Sequence, residues 1–240
     1  MDDINGISSL KNRLSSESPN RCDKFGFALN HASKVNLPRR VNLTLKRLID
    51  VVVSLSALFL LFPLFVVVAM TIKLTSPGPA MIRQKRWGRG QTQFKVFKFR
   101  TMYVHLSDMS GVSQTVFQDP RITPIGRFLR RTNIDELPQL LNILIGDMSL
   151  VGPRCHPVGM LAAGVPYERL VENYHDRHVM RPGLTGLAQA NGFRGPTADA
   201  FKAMERIRYD LIYVRQFDLL MDARIILKTI MNEIRGGSGF

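Results

Sequence analysis

Asp135 and Glu136 stand side by side in TNIDELPQLLNILIGDMSLVGPR, Thr132 to Arg154, and this acid pair ahead of an apolar stripe is the part of the chain best suited to chemistry. Thr132 or Asn133 can cap a helix there and Pro138 suits a first turn, while Leu137, Leu141 and Leu144 recur at the spacing of one buried face. The same S/T-x-x-D/E pattern is also the ordinary capping arrangement, so a purely structural role for the acids stands beside a chemical one. The chemical reading uses the exposed N–H groups and dipole of a helix start, which hold a carboxylate ionised and attract anions such as phosphate. Neighbouring side chains on a helix diverge by about a hundred degrees. One acid can then attack while the other binds a metal ion or a proton.

The chain that must position this pair has 240 residues, a length for one domain of catalytic size with appendages. Its net charge of +14 and pI near 10.4 select anionic partners: nucleic acid, anionic lipid head groups or phosphorylated small molecules. Cys22 and Cys155 lie far apart, which excludes a disulfide framework and zinc-ligand spacing and suits a reducing compartment. Residues 1–40 are polar, with no sustained apolar period, and are expected to be a mobile tail.

Lys34, Arg39, Arg40, Lys46 and Arg47 then lead into an apolar run, Val51 to Ile72, without a charged residue. About 22 residues at 1.5 Å each reach about 33 Å, enough for a bilayer core. The run begins late, is long and lacks a small-residue cleavage site, so it is not expected to be a cleaved signal peptide. Pro63 interrupts it, and basic residues flank both ends, with Lys73, Arg83, Lys85 and Arg86 on the far side. Flanks of one sign at both ends suit a helix over 41–75 that enters and turns back at Pro63, with a plain kinked span as the alternative.

After Pro77-Gly78-Pro79, a stretch rich in Arg and Lys includes FKVFKFR, whose alternation predicts a short strand or hairpin near a membrane surface. His175 and His178 are three apart without a third ligand and read as surface residues. RPGLTGLAQANGFRG concentrates Gly183, Gly186, Gly192 and Gly195, the mark of a tight loop where backbone closely approaches a ligand or membrane. Beyond it, Ile207, Leu211 and Val214, then Leu219, Ile226 and Ile230, predict two amphipathic helices parted near Gln216, with basic faces that include Arg206 and Lys228.

Four stretches, KRLIDVVVSLSALFLLFPLF, VFKFRTM, RRTNIDELPQLLNILIGDMSLVGPR and RPGLTGLAQANG, follow one another in an order that resembles the monotopic polyprenyl-phosphate phosphoglycosyl transferases, a family of bacterial sugar transferases that begin lipid-linked glycan assembly. The resemblance runs from about Leu45 to Thr229. It implies that Asp135 is the nucleophile on the sugar-bearing phosphate of a nucleotide diphosphate sugar, such as a UDP-hexose, and that Glu136 is its dyad partner, with Mg2+ bound at the pair. Undecaprenyl phosphate then takes the phosphosugar from Asp135 in a ping-pong reaction. A carboxylate nears a diphosphate only when cations neutralise the repulsion. Lys98, Arg100, Arg130 and Arg154 are the candidates beside the pair, and Arg181 and Arg194 those of the glycine-rich motif. Asp210 and Asp222 match acids of the family and serve either metal or acceptor handling or ordinary pairing with nearby arginines. The chain departs from the family's common pattern with Cys155 for Pro, Leu187 for Trp and Gly195 for Asn, which leaves sugar preference open.

The architecture expected is a helix-rich α+β catalytic domain over 76–240 on the cytoplasmic face of the bacterial inner membrane, in contact with its lipids and held by the re-entrant helix. A membrane-tethered nucleic-acid binder and a non-enzymatic scaffold are the competing classes. No nucleic-acid partner is expected, because the chain carries no recognisable helix-turn-helix, zinc module or aromatic RNA platform.

Overall fold

The computed structural model describes residues 39 to 108 and 110 to 235. The tail expected over residues 1–40 lies outside the described residues except for Arg39 and Arg40, as does Cys22. One helix, α1 (Arg39–Thr75), occupies the expected membrane segment. Pro63 lies inside it, and the helix continues past the one backbone bond a proline removes. At 1.5 Å per residue it is about 55 Å long, well beyond the ~30 Å of a bilayer core. Its buried positions Asn42, Lys46, Asp50, Ser54, Val68 and Ile72, with Leu58, Leu61 and Phe65 between them, form one face that rests on the domain along most of its length.

Polar side chains fix the register of that contact. Lys46 donates to Asp222 at 2.6 Å, and Asp50 accepts from Ser149 Oγ at 2.8 Å and the Leu150 N–H at 2.9 Å. Such pairs specify one alignment where an apolar stripe could slide. The opposite face exposes Val52, Leu55, Phe59, Phe62 and Leu74. Among the described residues α1 is the one helix long and apolar enough to cross a membrane.

Strands β1 (Met81–Trp87) and β2 (Gln93–Phe99) form the hairpin expected from FKVFKFR, antiparallel with Arg83 opposite Phe97. The acid pair follows α2 (Pro124–Arg131), whose start is capped by Thr123 Oγ1 accepting from the Gly126 N–H. The single helix expected from Thr132 is instead a 3-10 turn, Ile134–Glu136, followed by α3 (Gln139–Ile145). Asn133 is left-handed at φ 55° and makes no cap bond, so neither it nor Thr132 starts a helix over the acids. The buried face of α3 is Leu140 and Ile143 together with Asn142, while Leu137, Leu141 and Leu144 are half-buried. Asn142 turns the helix this way by accepting from the Phe97 N–H and donating to the Lys95 carbonyl, both at 2.9 Å.

Strand β3 (Ser149–Val151) pairs in parallel with β6 (Gly183–Thr185), and β4 (Leu161–Ala162) pairs with β5 (Val165–Pro166) ahead of the short helix α4 (Tyr167–Leu170). The close approach expected of the glycine-rich motif is between two backbones: a Cβ on Gly183 would lie 2.1 Å from the Gly152 nitrogen and 2.2 Å from the Thr185 oxygen. Gly183→Ala is therefore expected to cost about 1–3 kcal/mol, read as a lower urea midpoint in micelles; an unchanged midpoint would refute this packing. After α5 (Leu187–Ala190), the two expected C-terminal helices are α6 (Ala200–Gln216) and α7 (Leu219–Ile234), parted at Phe217 and Asp218. Burial on α7 falls on Met221, Asp222 and Ile225, with Leu227, Ile230 and Ile234 exposed. The described residues form a helix-rich α+β arrangement whose sheets have two strands each.

Candidate active site

A cleft of about 270 Å³ opens between the β1–β2 hairpin, the loop over residues 101–121, the 3-10 turn and the segment after β3. Asp135 and Glu136 both line it. Eight arginines and lysines face these two and Asp108, the three acids of its lining, so the cleft is built for an anion.

The two acids differ in what holds them. Glu136 accepts from Lys98 Nζ at 2.8 Å and is clasped by both terminal nitrogens of Arg154, at 2.5 and 3.1 Å. Burial acts to raise its pKa, but Arg154 and Lys98 outweigh it and keep the carboxylate ionised, well below its ordinary range. Asp135 is 8% exposed, and its carboxylate makes no hydrogen bond among the described residues. Burial pushes its pKa up to about 6, Lys98 opposing and Glu136 adding. One carboxylate is thus committed to its cations and the other is free in the cleft.

Of the expected cations, Lys98 and Arg154 sit on Glu136. Arg130 is held by hydroxyls only, Thr101 Oγ1 at 2.9 Å and Thr115 Oγ1 at 2.6 Å, which leaves its charge available beside Asp135. Arg100 lines the cleft, yet its guanidinium binds the Ser76 carbonyl at 2.7 Å and that of Pro77, closing the end of α1. Arg194 lines the cleft and donates to Glu233 at 2.6 Å. Arg181 lies apart from it, its Nε on the Gly146 carbonyl at the end of α3. Asp222 also lies apart, between Lys46 and the Tyr213 hydroxyl. Asp210 is buried against Arg177 at 2.9 Å and does not line the cleft.

Several residues of the site escape sequence reading. Arg206, expected on an exposed basic face, is buried and donates to the Phe193 and Gly195 carbonyls, fixing the loop that carries Arg194. His178, expected at the surface, is buried with its pKa lowered to about 3 by burial and Arg177. Arg177 donates to the Arg154 carbonyl and to His156 Nδ1, so the turn that aims Arg154 is held from the interior. Arg86, grouped in the sequence with lipid-facing charges, lines the cleft.

The profile of a family described as "Bacterial sugar transferase" matches residues 41–236. The chain is 57% identical over 200 residues to "Exopolysaccharide production protein PSS" of Rhizobium leguminosarum bv. phaseoli, covering 83% of this chain and 100% of that one. It is 45% identical over 184 residues to a "UDP-glucose:undecaprenyl-phosphate glucose-1-phosphate transferase" of Xanthomonas campestris pv. campestris, and 44% over 190 residues to the protein so named in Escherichia coli (strain K12). These alignments cover 77% and 79% of this chain but 37% and 40% of those two proteins, under half of their length.

Proposed function

The chain belongs to the bacterial sugar transferase family, and from that premise we propose that it is a phosphoglycosyl transferase that moves a sugar 1-phosphate from a UDP-sugar to undecaprenyl phosphate, as a first membrane step of exopolysaccharide synthesis. UDP-glucose is the donor that the names of the Xanthomonas and Escherichia relatives support. The observation that carries the chemistry is the division of labour between the acids, Glu136 pinned by Lys98 and Arg154 and Asp135 buried with its carboxylate in no hydrogen bond among the described residues.

In the first half-reaction an Asp135 oxygen attacks the sugar-bearing phosphorus. The bond from that phosphorus to the bridging oxygen breaks, UMP leaves with the electron pair, and an aspartyl phosphosugar remains. In the second, an oxygen of undecaprenyl phosphate attacks the same phosphorus and the carboxylate leaves, giving undecaprenyl diphosphate sugar. Arg130 and Arg154 oppose the charge that gathers on the phosphoryl oxygens, and Glu136 keeps Lys98 and Arg154 in place. Asp135 supplies a free carboxylate of the kind Mg2+ shares with substrate phosphates and water, and no cluster of three possible ligands exists among the described residues. The donor set therefore fits an ion brought with the diphosphate, which would neutralise the phosphates on approach.

The membrane reading is supported by α1. One face lies on the catalytic domain near both ends, at Lys46 and Asp50 and again at Val68 and Ile72, while the other is apolar and open. Contacts of both ends with one domain favour a helix held on the cytoplasmic face over a crossing span, and in this reading α1 enters the bilayer by its open face while running through Pro63 unbroken.

The test is to incubate the full chain with Mg2+ and UDP-glucose, UDP-galactose or UDP-N-acetylgalactosamine without lipid acceptor, and to look for a phosphosugar adduct by intact mass and for UMP. Adduct and UMP together are expected; neither, from folded protein with every donor, would sink the proposal. Because Asp135 must be ionised to attack and its pKa is pushed up to about 6, the rate of adduct formation is expected to rise with pH through about 6 and then level. A single-turnover rate that is flat from pH 5 to 7 would contradict this.

A further inference from the structure

His156 follows Cys155 along the cleft wall, and the atoms around its ring fix its tautomer. Nδ1 lies 2.8 Å from Nη1 of Arg177 and 3.2 Å from the Tyr174 hydroxyl. A guanidinium has donors only, so Nδ1 accepts and carries no proton. The ring is 2% exposed, and burial together with Arg177, Arg206, Arg86 and Arg154 keeps it neutral. A neutral imidazole with a bare Nδ1 has its proton on Nε2. That Nε2–H is buried and has no hydrogen-bond partner among the described residues. The ring edge left over once Nδ1 is taken is the Nε2 edge, and His156 lines the same cleft as Asp135.

Arg86 adds a second donor of the same kind. Its Nε is also buried without a partner, and it too lines the cleft. Its strand is joined to the His156 segment by the bridge from Arg86 to Pro157 and by the Trp87 N–H on the His156 carbonyl. A sugar hydroxyl or a nucleobase edge offers donors as well as acceptors, whereas a phosphate only accepts, and the two unpartnered groups, His156 Nε2–H and Arg86 Nε–H, only donate. Arg154 clasps Glu136, the neighbour of Asp135, and stands two residues before His156, so it lies between Asp135 and the His156 wall of the cleft. A diphosphate lying against Asp135 at one end and passing Arg154 therefore brings its other phosphate to His156.

Building on the reading of the cleft as a nucleotide-sugar site, we propose that the Nε2–H of His156, with Arg86, binds the phosphate that leaves with the nucleoside, and so separates the leaving phosphate from the one Asp135 attacks. A buried donor left unpaired in the free protein is satisfied when the nucleotide enters.

The test is binding of UMP and of uridine to the full chain in micelles with Mg2+, by calorimetry, for the native protein, His156→Asn and His156→Gln. Asn sets an oxygen where Nδ1 meets Arg177 but has no donor at the reach of Nε2; Gln sets an amide N–H near that reach. His156→Asn is expected to weaken UMP about tenfold or more and to leave uridine unchanged, and His156→Gln to recover most of the loss. Arg86→Met, which leaves the His156–Arg177 contact intact, is expected to do the same as His156→Asn and decides the matter if the His156 variants do not fold. Folded His156→Asn that binds UMP like the native protein, that loses UMP and uridine equally, or that Gln does not improve on, overturns the assignment of His156 alone. Native protein that binds UMP no better than uridine overturns the nucleotide-sugar reading and this inference with it.

Discussion

Asp135→Asn is expected to abolish the phosphosugar adduct and to lower turnover on the order of a thousandfold or more, while the fold survives with greater stability at neutral pH. Both halves come from one observation, a carboxylate buried in the cleft without a hydrogen bond among the described residues. Burial raises its pKa from 3.8 to about 6, so between those values the folded chain binds more protons than the unfolded one. Stability from this group is then fully present below the unfolded pKa and is lost as pH rises through about 6. At pH 7.5 the ionised acid costs roughly 2–3 kcal/mol. An amide at 135 has no such dependence. The variant should therefore show a flatter stability profile between pH 4 and 6 and a melting temperature a few degrees higher at pH 7.5. Intact mass, UMP release and melts across that pH range test both parts. A non-enzymatic scaffold would show the stability gain with no activity to lose, and turnover retained by Asp135→Asn would remove it as the nucleophile.

The acid pair, the hairpin and the two C-terminal helices were legible in the sequence because each rests on a local signal: adjacent charges, alternation over a few residues, apolar spacing at a helical period. The faces those helices bury were less so. On α3 and α7 the inward positions include Asn142 and Asp222, polar residues that turn inward because distant partners meet them, Lys95 and Phe97 for one and Lys46 and Tyr213 for the other. A reading that counts only apolar residues sets the stripe off to one side, as it did for Leu141 and Ile230. The same limit applies to the cations. Lys98, Arg130 and Arg154 lie close to the acids or in recognisable motifs, whereas Arg86 and Arg206 look like any surface charge until the fold brings them to the cleft. Charge alone does not tell which arginine is outside; its acceptors do, and these are backbone carbonyls that the sequence does not mark.

Arg177→Met is expected to have the largest effect on stability, about 3–5 kcal/mol at neutral pH, because it strands a buried charge. Arg177 and Asp210 are each 1% exposed and lie 2.9 Å apart. Burial already pushes the Asp210 pKa up to about 6 against the pull of Arg177 and Arg206, and without Arg177 it rises further. The deficit of the variant should therefore shrink as the medium is acidified and Asp210 takes up a proton, since stability from an acid of raised pKa is present at low pH and lost on the way up. Removing both charges, in Arg177→Met with Asp210→Asn, should restore most of the stability. It should not restore turnover. Arg177 also donates to the Arg154 carbonyl, and Asp210 holds Arg177 by charge, so the pair fixes the backbone from which Arg154 reaches Glu136. A double variant that unfolds at the native urea midpoint yet forms adduct at least tenfold more slowly, and keeps its affinity for uridine, identifies the pair as positioning residues for the Arg154 turn. A double variant with native adduct kinetics confines Arg177 and Asp210 to holding the interior together, and a single Arg177→Met variant that loses less than about 1 kcal/mol contradicts the stranded charge from which the whole expectation follows.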